Sequence, residues 1–120
     1  MATHDIPKSD WKSFLTTFSE RRKGAMVSVE VADPQKGLRK EVDGLPLLGI
    51  TMDDKGSGAG DIALLLGDET GHHVTHLITE PKAIYHKSAA GLMSDEVNLD
   101  EILEITSAND PPITQVHFKG

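Results

Sequence analysis

The chain has 120 residues, no cysteine, and nineteen acidic against twelve basic side chains, for a formal net charge of −7. A length of this order supports one hydrophobic core rather than two, and the lack of cysteine removes disulfides, thiolate metal sites and thiol nucleophiles. The acidic balance argues against nucleic acid, whose binding depends on neutralising phosphates. The absence of a basic-then-apolar leader or a roughly 18-residue apolar run leads to the expectation of a cytoplasmic protein that uses no membrane.

The N-terminal element is a helix. Trp11, Phe14, Leu15 and Phe18 recur at the spacing that lines one face of a 3.6-residue turn, which predicts an amphipathic helix over about 9–23. Ser9 or Asp10 is expected to cap its first amides. Arg21, Arg22 and Lys23 are expected to complement the dipole at its end, and Gly24 to stop it. That face holds three of the five aromatic residues, and its burial contributes on the order of 6–12 kcal/mol before entropy is subtracted, so the helix must dock.

Beyond Gly24 the period becomes two, and a β meander is expected over about 25–118. Val27, Val29 and Val31 alternate with small or polar residues in a strand with one buried face, and Asp33–Gly37 reads as a turn. Leu38 to Asp43 is expected as a short return strand, ended by Gly44-Leu45-Pro46. Leu48 to Met52 then forms a separate strand, followed by Ile62 to Leu66, Val74 to Ile78 and Ala83 to His86. Residues 98–106 fit both a helical and a strand template. The turn Thr106 to Pro112 leading into Ile113–Phe118 favours strand, which gives a closing hairpin. Flexible loops are expected at about 53–60 and 88–98.

Several stretches invite a chemical reading. Gly56, Gly58 and Gly60 lack the spacing of a phosphate-binding loop. An EF-hand count from Asp53 puts Lys55 third and Leu64 twelfth, where oxygen ligands are required, so calcium is left with Asp53, Asp54 and Asp61 as weak candidate ligands. His72, His73 and His76 form a histidine-rich run. A helix would set His72 and His76 one turn apart, but Val74, Thr75 and Ile78 favour a strand, where i and i+4 are about 13 Å apart, so that pair cannot chelate one ion. His76 shares the apolar face with Val74 and Ile78, which points to a half-buried imidazole satisfied by a carbonyl or hydroxyl. His72 and His73 read as solvated loop-end residues. No G-x-S-x-G elbow nominates a serine nucleophile.

An ordered series of short elements runs through the chain: Ile6-Pro7 before Trp11, Phe14-Leu15, Phe18-Ser19, Gly24 into Val27–Val31, Leu45-Pro46-Leu47, Gly49-Ile50, Thr75-His76-Leu77-Ile78, Pro81, Leu103-Glu104-Ile105 and Phe118. The series resembles a family of short bacterial proteins catalogued as a domain of unknown function, number fifty-three thirty-five in that series. The resemblance implies one small bacterial, cytoplasmic domain. It brings no activity, cofactor or catalytic residue, and carries over only His76 and the turn residue Pro81. Asn109-Asp110-Pro111-Pro112 stands where the family has a glycine turn, which leaves the register of the last hairpin open.

The expectation is an α+β protein, with one amphipathic N-terminal helix packed on a strongly bent antiparallel sheet or partly open barrel of six to eight strands. With no complete catalytic constellation, the expected role is a non-catalytic binding or protein-interaction module. It would use no cofactor, take a protein or small molecule as partner, and be able to self-associate through edge strands. His76, His86 and His73 are its weak candidate ligand-binding residues. The alternative is a metal-dependent or hydrolytic enzyme using His76 with Asp61, Asp68 or His86.

Overall fold

The computed structural model describes residues 2–53, 60–68, 70–88, 101–109 and 111–118. Among the described residues eight strands and one α-helix follow the order β1 (Ala2–Asp5), α1 (Trp11–Arg22), β2 (Met26–Asp33), β3 (Gly37–Met52), β4 (Ile62–Gly67), β5 (His73–Ile78), β6 (Pro81–Ser88), β7 (Glu101–Ser107) and β8 (Ile113–Phe118). All neighbours pair antiparallel in the lateral order β1-β6-β7-β8-β2-β3-β4-β5, and the sheet does not close. The α+β architecture with a strongly bent sheet is as expected. Position 54 and most of the two expected loops, at 53–60 and 88–98, lie outside the described residues.

Two stretches of chain turn the sheet's corners. The first is β3, where the sequence suggested two strands broken at Gly44-Leu45-Pro46. The structure keeps one 16-residue strand, and the punctuation becomes bulges rather than a turn. Register shifts fall at Glu41, at Gly44, whose φ of 86° suits glycine, and at Leu48, and the first part of β3 pairs with β2 and the last part with β4. The second is the path from β5 into β6. Only Thr79 and Glu80 separate these strands, and six successive antiparallel pairings give them the same direction, so they run on as one bent path. Ser107 Oγ and Asn109 Nδ2 bind the carbonyl and hydroxyl of Thr79, at 2.5 and 2.6 Å, and the Glu80 amide donates to Asp61 at 3.2 Å.

The alternation read from sequence accounts for the core. Val27, Val29 and Val31 of β2, Ile62, Leu64 and Leu66 of β4, Leu103 and Ile105 of β7, and Val116 and Phe118 of β8 are all buried on the concave face. Helix α1 packs Trp11, Leu15 and Phe18 into this cluster, and Phe18 meets Phe118 edge-on at 4.9 Å between centroids. The helix also covers the side of β3 that faces away from β4, where the Ile50 amide donates to Ser19 Oγ at 2.9 Å.

Two local expectations are corrected, and one preference, strand over helix beyond residue 100, holds. β1 was not foreseen; its polar Ala2-Thr3-His4-Asp5 stretch is held on β6 by backbone pairing, which leaves no side-chain pattern. Asp10 is the N-cap of α1, but no side-chain capping bond forms, because a 3₁₀ turn over Lys8–Asp10 leads into the helix instead. Residues 101–107 are strand, and the last hairpin pairs in an unbroken register from Glu101↔Phe118 to Thr106↔Ile113.

Candidate functional site

The densest polar chemistry lies where α1 meets the β6, β7 and β8 end of the sheet. Pairing aligns Ser88, Glu101 and Phe118 across three strands. The Glu101-x-Leu103-x-Ile105 alternation turns the Glu101 side chain onto the apolar face, where it is only 5% exposed. A buried carboxylate must find cations or donors, and here the helix end supplies them. Arg21 forms a two-pronged pair with the carboxylate, Nη1 to Oε1 at 3.0 Å and Nη2 to Oε2 at 2.9 Å. Arg22 Nε donates to Oε1 at 2.7 Å, and His86 Nε2 to Oε2 at 2.5 Å.

All three phenylalanines of the chain surround this pairing. Arg21 lies over Phe18 at 5.0 Å and Arg22 over Phe118 at 5.8 Å, while His86 meets the edges of Phe14 and Phe18 and stacks on His4. Burial alone pushes the Glu101 carboxyl up. The bonds from Arg21, His86 and Arg22, with the Arg21 charge, outweigh that push and hold it at about 2. Each oxygen already accepts two donors, so an ionised, saturated carboxylate has no lone pair left for proton transfer or attack. Chemically the cluster is a clasp between helix and sheet.

Sequence reading singled out His86 here but missed its partners. Arg21 and Arg22, taken as complements to the helix dipole, instead reach Glu101, 80 and 79 positions away. The available signal was an acid occupying the first position of an apolar strand face.

The other candidates lie apart. His76 sits half-buried on the concave face with Nε2 3.3 Å from the hydroxyl of buried Thr114, the kind of partner expected for it; burial lowers its pKa, with a smaller opposing pull from Glu41. His73 is exposed, and its ring lies against Gly67, directly across the β4–β5 ladder. Asp53 and Asp61 share a backbone hydrogen bond of 2.9 Å at the base of their loop, and the Asp61 side chain serves the β5–β6 corner. Asp68 accepts bonds from the Thr70 hydroxyl and from Thr70 and His72 amides, and the first of these chiefly holds its carboxyl at about 2. The four groups of the hydrolytic alternative, His76, Asp61, Asp68 and His86, are therefore tied to four separate sets of partners. Among the described residues no group of three or more His, Cys, Asp and Glu side chains is arranged to hold a metal ion.

The far end of the sheet offers surface rather than chemistry. Among the described residues strand β5 is the last strand and neighbours only β4. It contains no proline and no lysine, arginine or carboxylate. Leu77 is 56% exposed on it and Leu48 43% exposed nearby on β3. Beside Leu48 a cleft of about 570 Å³ runs between Gly24, Pro46 and Gly67, with Lys23 and Asp68 at its rim. Among the described residues no helix is long and apolar enough to cross a membrane.

No solved structure matches the chain. A relative named only "Uncharacterized protein", from Aquifex aeolicus (strain VF5), is 35% identical over 91 residues, 76% of each chain. The model of a family of unknown function, DUF5335, matches residues 2–111, and the chain belongs to that family.

Proposed function

We propose that the chain is a non-catalytic interaction module whose working surface is the free edge of β5 and the apolar surface beside it. The observation that carries this reading is the character of that edge: six extended residues without charge or proline, open on one side, with Leu77 and Leu48 exposed. Edge strands of soluble proteins are ordinarily blunted by lysine, proline, a bulge or a cover, because an open edge templates pairing with another strand. Addition of an extended segment to such an edge is a common mode of protein recognition, with main-chain bonds supplying affinity and alternate side chains specificity.

The saturated Glu101 clasp supports the same reading from the other side: the most elaborate polar cluster is committed to holding α1 in place. The test is selection of extended peptides from a displayed library, followed by mapping of amide chemical shifts. Perturbations at residues 62–67 and 73–78, lost in Leu77→Lys, are expected. Perturbations centred on His86 and Glu101, or no selected peptide and no association of any kind at this edge, would overturn the proposal.

A further inference from the structure

The backbone at this edge specifies a partner, an inference that rests on β5 being the working surface. Asp68 donates its amide to the His72 carbonyl at 3.1 Å, which makes that the first hydrogen-bonded pair of the β4–β5 hairpin. The register from Gly67↔His73 to Ile62↔Ile78 has no shift, so bonded pairs alternate. Val74, His76 and Ile78 therefore bond to β4, whereas the amides and carbonyls of His73, Thr75 and Leu77 point out of the sheet. The next strand agrees: the same alternation requires the Ile50 amide of β3 to point away from β4, and it is found on Ser19 Oγ.

We infer that the strand completing this edge is β5 of a second copy, paired antiparallel about a two-fold axis through Thr75. The outward groups are self-complementary in that register. Thr75 faces Thr75, and His73 faces Leu77 in both directions, so three residues of each copy exchange bonds with three of the other. Side chains match as well. Threonine opposite threonine and an aromatic ring opposite an aliphatic chain are favourable cross-strand pairs, and Val74 meets His76 on the concave side.

Charge favours this edge over β1, the strand at the other end of the sheet, which carries Asp5. The chain carries a net charge of −7, so two copies repel over most of their surface, but β5 has no carboxylate to bring against its twin. The open side of β3 near Leu38 is unlike it. There Arg39, Lys40 and Glu41 line the strand, and self-pairing would oppose like charges.

The test uses the whole chain and sedimentation equilibrium from about 1 to 300 µM, with cysteine variants in a background that has none. Expected are a dimer that tightens with added salt, conversion to monomer by Leu77→Lys with unchanged circular dichroism, and a disulfide-linked dimer on mild oxidation of Thr75→Cys but not of Val74→Cys. Cα atoms of a bonded antiparallel pair stand about 5.5 Å apart, within disulfide reach. A wild-type chain that stays monomeric to 300 µM would overturn self-pairing, while the interaction reading would stand if selected peptides still shift residues 73–78. A dimer indifferent to Leu77→Lys, or one that links through Val74→Cys rather than Thr75→Cys, would also overturn this pairing.

Discussion

Strand β3 and the β5–β6 path make the same corner but are finished differently. At β3 the half that pairs with β4 has its other side covered, since α1 lies along it and Ser19 takes the Ile50 amide. At β5 the corresponding side has no strand beyond it among the described residues, and β1 pairs with the β6 half of the path. A strand that bends between two partners leaves backbone groups uncovered on each half, and what covers them decides whether a region is structural or available. Helix α1, which covers that side of β3, also supplies Arg21 and Arg22 to the ion cluster at the β6–β8 end of the sheet, whereas on β5 His76 bonds the Thr114 hydroxyl.

The contrast breaks most readily at the clasp. Glu101→Ala removes from beside an apolar wall the carboxylate that Arg22 Nε and His86 Nε2 both bond, and is expected to cost about 3–5 kcal/mol, read as a fall in the urea midpoint with unchanged slope. Half-exposed Arg21 recovers solvation and limits the loss. At the open end, Gly67→Ala would drive a methyl into the His73 ring and to within 2.9 Å of the His72 carbonyl oxygen, at an expected cost of about 1–3 kcal/mol by thermal melting. Ser19→Ala removes the acceptor of the Ile50 amide and is expected to cost about 1 kcal/mol, with faster hydrogen exchange at Ile50.

Acid separates the two ends by pH range. His76 has a pKa lowered by burial, so its contribution is complete above its unfolded value of about 6.5 and declines as pH falls through that value until the folded form also protonates. Glu101 has a folded value of about 2 against an ordinary 4.5, so its contribution is complete above about pH 5 and is lost as pH falls from there towards 2. His76→Gln is expected to flatten only the upper range and Glu101→Gln only the lower. Identical slopes in both variants would show that the ends titrate as one.

Parts of this picture were legible in local pattern. The helix face of Trp11, Phe14, Leu15 and Phe18, the alternating valines of β2, and the extended backbone under His73 and His76 follow from side-chain period and β-branching, which act within a few residues. The histidine run was correctly taken off a helix for that reason. The Glu101 clasp was not legible, because its members are separated by up to 80 positions and each has an ordinary local explanation.

Sequence by itself determined the class of fold, the helix, the strand faces and the acidic charge, because hydrophobic period and turn chemistry are local properties. Only tertiary structure decided that Gly44-Leu45-Pro46 bends a strand without breaking it, that Arg21, Arg22 and His86 converge on one carboxylate, and that β5 is left at an edge. Those outcomes depend on which strands become neighbours, and lateral order is set by how the whole core packs.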